Sequence, residues 1–197
     1  MINKREFLAA GAAAATLLPG VANSANAPAT LRQPVLLTVT GAIARSNRAP
    51  FDPVLDQMMA KQKLSFTQAF GFDFAALRAL PAIGIRPTLE YDNKPHALRG
   101  PLLATVLKAA GLQSDNVKLA MRAIDGYAPT ISLAEANRMR FIVATELDGK
   151  PIPLGGLGPL WAVYDADRVP EMAAKPVNER FALCPWGLYH IDVQQGA

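Results

Sequence analysis

Proline and glycine punctuate this chain so closely that no regular element in it can run long. Sixteen prolines and fourteen glycines stand among 197 residues. Proline removes a backbone donor, and both residues favour turns. Between these breaks the sequence alternates brief strand-like and helix-like segments. Pro34 to Thr40 reads as a strand that Gly41 stops. Asp52-Pro53 supplies an N-cap and an N1 proline, predicting a helix to about Lys61. Phe66, Phe70 and Phe72 give the stretch Leu64 to Phe72 a strand-like aromatic alternation. Asp73 caps a helix from Phe74 to Leu80, which Pro81 ends. Ile83 to Tyr91 alternates as a strand, Asp92 to Pro95 turns, and His96 to Leu98 pairs back.

Arg99-Gly100-Pro101 opens the clearest helix. Its apolar residues Leu102, Leu103, Val106, Leu107 and Ala110 recur at helical spacing, and Gly111 ends it. Val117 to Ile124 is a strand that runs into Asp125-Gly126-Tyr127. Ser132-Leu133-Ala134-Glu135 has the form of a capping box. Phe141 to Glu146, Trp161 to Tyr164 and Trp186 to Val193 are further strands, the first turned at Asp148-Gly149. Strands and helices do not alternate as βαβ units. The fold class is therefore α+β, a single compact domain with mixed β-sheets and short helices.

The first residues have a different character. Lys4 and Arg5 precede a small, apolar run from Ala9 to Leu18, too short to span a bilayer, which Pro19 and Gly20 break. This is the pattern of a signal peptide over 1–24, with cleavage between 24 and 29. A linker over 25–33 and a domain over 34–197 follow. Lys4-Arg5-Glu6-Phe7-Leu8 also resembles a twin-arginine export signal with lysine in the first arginine position. The expected location is periplasmic, by a Tat-like or Sec route. No later apolar run reaches transmembrane length. The formal charge is +4, with basic residues scattered rather than in a run. That pattern points away from nucleic acid. Cys184 is the one cysteine, so neither an intramolecular disulfide nor a thiolate metal cluster can form. Its apolar surroundings, Phe181 to Trp186, predict a core position.

Motifs with chemistry are few. His96 and His190 are the two histidines, far apart in sequence, and no HExxH pattern exists. No G-x-S-x-G nucleophile elbow is present. Gly155-Gly156-Leu157-Gly158 lacks both the Lys-Ser/Thr of a P-loop and the helix of a dinucleotide-binding turn. It reads as a tight loop where backbone comes close to a neighbour or a ligand. Asp125-Gly126-Tyr127 can orient a ligand at a strand end, or serve as a hairpin turn. Trp161 and Trp186 read as core.

The order of these segments resembles a known family. Phe72 to Pro81, the strand around Thr88, Leu98 to Leu103, Ala123 to Tyr127, Asp148 to Pro151 and Gly158-Pro159-Leu160-Trp161 follow one another as in the oxidoreductase molybdopterin-binding domain, the sulfite-oxidase-type fold. The resemblance is to its small, stand-alone exported members and covers about residues 34 to 193. It implies a compact α+β domain with a groove for a pterin cofactor. In catalytic members a cysteine just after the strand that follows the Leu-Pro helix binds molybdenum. Here that region reads Ile85-Arg86-Pro87-Thr88-Leu89-Glu90-Tyr91, and no cysteine is present. A threonine hydroxyl is a poor substitute for a soft thiolate.

The resulting expectation is a module that binds a small ligand or an exported or membrane-sensor partner and is not catalytic at molybdenum. The alternative is an oxidoreductase or redox subunit that retains molybdopterin without a cysteine ligand. The candidate groove residues are Arg86, Thr88, Arg99, Asp125, Gly126, Tyr127 and Gly158. No cofactor is the first expectation, with molybdopterin implied by resemblance. No metal ligand and no catalytic residue is assigned.

Overall fold

A computed structural model describes residues 33–196. The expected signal peptide and nearly all of the expected linker lie outside the described residues. In chain order the elements are β1 (Leu37–Gly41), α1 (Gln57–Lys61), β2 (Ala69–Phe72), α2 (Phe74–Arg78), β3 (Ala82–Ile85) and β4 (Leu98–Pro101). Then come α3 (Leu103–Ala109), β5 (Val117–Ala123), β6 (Thr130–Ser132), α4 (Leu133–Arg138), β7 (Ile142–Ala144) and β8 (Glu146–Leu147). The chain ends with β9 (Lys150–Pro151), β10 (Trp161–Val163), α5 (Pro170–Ala173) and β11 (Leu188–Gln195). Mixed sheets with a few short helices make this an α+β domain, as the segment order predicts.

The main sheet has the order β2-β1-β11-β5-β6. The first strand pairs parallel with the last, Val39 opposite Ile191, and every other pairing in it is antiparallel. A second sheet, β3-β4-β8-β9, and the pair β10-β7 complete the scaffold. Strand β5 shows the period-two signature of a half-buried strand. Val117, Leu119, Met121 and Ala123 point inward and Lys118 outward. Helix α3 turns Leu103, Val106 and Leu107 into the same core. Strands β7 and β10 are buried throughout, so they read as continuous apolar runs. Phe141 and Tyr164 pack with ring centroids 4.9 Å apart, and Phe181 joins Trp161 and Tyr164 behind them.

Local chemistry fixes several boundaries. Asp73 caps α2, its Oδ1 accepting the Ala76 N–H at 2.7 Å. Ser132 caps α4 by accepting the Glu135 N–H at 3.1 Å. Asp148-Gly149 turns β8 into β9. Two expectations are corrected. Residues 99–101 do not start a helix: they are strand, Gly100 pairing with Ile83, and α3 begins only at Leu103. Ladder pairing with β3 outweighs the local helical signal there. The expected helix from Asp52 begins later, at Gln57. Asp52 Oδ1 closes a turn on the Val54 and Leu55 N–H groups, and Asp56, held by Arg48, takes the N-cap position. Strand β3 is also shorter than its alternation implies, because Pro87 cannot donate to a ladder.

His190 is buried in β11, where its Nε2 meets Thr40 Oγ1 at 2.9 Å and its Nδ1 has no partner. Burial holds its pKa down at about 4, helped by the Arg122 and Arg48 cations and opposed by Asp192. The unfolded ring takes its proton near the ordinary 6.5, the folded one only near 4. Stability is therefore full above about pH 6.5 and falls as pH drops toward 4. The expected loss is about 3 kcal/mol across that window. Urea unfolding at pH 7 and pH 4.5 checks this, and H190Q should flatten that part of the profile. A wild-type profile as flat as that of H190Q would remove the buried histidine as the cause.

Candidate functional site

Three segments far apart in sequence meet at one end of the molecule. The first follows β3, where the chain loops through Leu89, Glu90 and Tyr91 and returns toward β4. It reverses at Asn93, whose N–H bonds the Leu89 carbonyl at 3.0 Å. The second is the turn between β5 and β6. Gly126 N–H reaches the Ala123 carbonyl at 3.0 Å, and Asp125 Oδ1 accepts the Tyr127 N–H at 2.9 Å. The third is the run from Asn178 to Trp186 ahead of β11. It is anchored by Trp161, whose indole N–H donates to the Cys184 carbonyl at 3.0 Å. Between them lies a cavity of about 290 Å³ lined by Glu90, Tyr91, Asp125, Tyr127, Asn178 and Trp186, with Cys184 and Phe181 at its apolar floor.

The pocket is aromatic and acidic. Tyr91, Tyr127 and Trp186 are each about half exposed, and Glu90 and Asp125 bring two carboxylates. Among the described residues no lysine, arginine or histidine lines it. Tyr127 is held by its hydroxyl, which donates to the Ala182 carbonyl. The Tyr91 phenol is pushed up to about 12, first by burial and then by the charge and hydrogen bond of Glu90, with a hydrogen bond to Trp186 acting the other way. Tyr91 therefore stays a neutral hydroxyl throughout the physiological range.

The expected groove residues divide. Asp125 and Tyr127 line this pocket, with Gly126 in the turn between them. Thr88 does not line it: its N–H donates to Asp167 Oδ2 at 2.7 Å, tying the loop to the segment after β10. Arg86 opens instead on a separate cavity. Arg99 stands outward on β4, 3.9 Å from Glu146. Gly158 is buried, and a Cβ there would overlap the Ile152 carbonyl oxygen, so its role is close backbone approach within the loop. Sequence reasoning missed Glu90, Tyr91, Asn178 and Trp186 as pocket residues. Trp186 was expected in the core and is 41% exposed. Glu90 and Tyr91 fell inside the segment read as strand, which gave no signal of their exposure to a pocket.

The pocket chemistry does not fit the molybdopterin group that the sequence resemblance implies. Cys184 is 4% exposed, and burial pushes its thiol far above the usual range, so it supplies no thiolate. Two carboxylates without a cation also oppose an anionic cofactor. Among the described residues no three His, Cys, Asp or Glu are placed to hold a metal ion.

No family model matches the sequence, and no curated protein matches it. Solved structures do match by shape. One is the sulfane dehydrogenase SoxCD from Paracoccus pantotrophus, with a TM-score of 0.53 and 11% identity over 82% of this chain. The match spans 38% of that protein's chain. At this identity the likeness is one of fold alone. Among the described residues no helix is long and apolar enough to cross a membrane.

Proposed function

We propose that this protein is a binding module acting outside the cytoplasm, on a sulfite-oxidase-type scaffold, and that its pocket takes a small cationic ligand. The observation that carries this reading is the lining itself: Tyr91, Tyr127 and Trp186 around Glu90 and Asp125, with no basic residue. Aromatic faces attract organic cations, and carboxylates complete the charge match. A ligand amine or quaternary ammonium bound here contacts the three rings and is neutralised by the two carboxylates. The tyrosine hydroxyls and Asn178 offer the hydrogen bonds that orient it. The absence of a thiolate within the pocket supports binding rather than catalysis at molybdenum. The periplasmic address rests on the N-terminal sequence.

Choline and putrescine are suitable probes, followed through Trp186 fluorescence and calorimetry. Saturable binding is expected, weakened about tenfold in each of D125N and E90Q, since one charge-assisted contact is worth about 1.4 kcal/mol. Absence of saturable binding by either cation would overturn the reading. So would molybdenum near one atom per chain in protein purified from its native compartment.

A further inference from the structure

A second cavity, of about 320 Å³, has the opposite chemistry. Ile83, Gly84 and Ile85 of β3 form one wall, and Arg86, Arg138, Arg140 and Arg168 surround the space with Asp165, the one acid lining it among the described residues. Arg138 is already occupied by Glu171 at 2.5 Å and Glu135 at 3.9 Å, and Arg168 lies 3.5 Å from Asp165 Oδ2. The side chains of Arg86 and Arg140 have no hydrogen-bond or ion-pair partner among the described residues, although Asp148 feels the Arg86 charge.

Two further features belong to this place. Arg140 follows the C-cap residue of α4 with φ at 58°, a left-handed position where glycine is the usual residue. An arginine there gives up conformational ease, and strain of that kind is retained where a side chain serves a purpose. Asp165 is also held in place, Oδ2 accepting the Arg86 N–H at 3.3 Å, while its Oδ1 is buried with no partner.

From this geometry we propose a second ligand site that takes a small phosphate or carboxylate compound. Arg86 and Arg140 pair with the anionic group. Planar guanidinium groups match both oxyanions in a forked geometry. The site is independent of the cationic pocket and of the reading given for it.

The test is an amide chemical-shift titration of the folded protein with glycerol 3-phosphate and with malate, at ionic strength held constant by chloride. Saturable shifts are expected at 83–86, 138–140 and 165–169, at concentrations up to roughly 10 mM. The variant R140G suits the backbone better than arginine, so it should melt no lower than the parent while binding about tenfold more weakly. Shifts that chloride reproduces, or unchanged affinity in R140G, would overturn the site. Binding of one probe and not the other selects between phosphate and carboxylate.

Discussion

Gly100→Ala is expected to be strongly destabilising. Gly100 sits in the middle of β4, fully packed against β7. A Cβ built there would overlap the Val143 carbonyl oxygen and stand 2.7 Å from its carbon and 2.9 Å from the Ala144 Cα. These are backbone atoms of a buried strand, so no side chain can swing aside. Strand β4 must move away from β7. That movement strains the Thr145 N–H bond to the Arg99 carbonyl, 2.9 Å in the native fold, and the β4 pairings with β3 and β8. The loss should exceed about 3 kcal/mol, against a total stability of about 5–15 kcal/mol for a domain. Urea unfolding followed by circular dichroism measures it. A variant that unfolds at the parent's midpoint would show that the close approach is not required.

Trp161→Ala carries the second large effect. The side chain is 1% exposed and packs on Phe181, while its backbone bridges Trp186. Truncation empties this volume and costs about 3–5 kcal/mol. It also leaves the Cys184 carbonyl without its indole donor. Trp161→Phe keeps most of the packing but loses that bond, so a smaller loss of about 1–3 kcal/mol is expected. Both variants should also loosen the 178–186 segment and weaken cation binding at Trp186. Chemical unfolding with tryptophan fluorescence separates the two effects. Equal stability of the phenylalanine variant and the parent would mean the indole bond contributes nothing.

Part of this molecule is legible locally. Asp73, Ser132 and Asp148-Gly149 act within a few residues of themselves, and each caps or turns where its chemistry predicts. Cys184 follows its apolar neighbours into the core. The candidate site was legible only at Asp125, Gly126 and Tyr127, because a strand-end turn is a local event. Glu90 lay inside a segment read as continuous strand, and Trp186 looked like core by residue type. Nothing near either residue says which surface it will face.

The sequence by itself determined short elements, through its closely spaced proline and glycine, local caps, through Asp73 and Ser132, and an α+β class, through the order of its segments, since backbone restriction and capping act wherever the residue stands. Only the tertiary structure decided that residues 99–101 are strand, that β1 lies parallel to β11, and that residues 90–91, 125–127 and 178–186 share one pocket. Those outcomes depend on pairing and burial energies between residues distant in sequence, and such energies exceed the local preferences that a stretch of sequence displays.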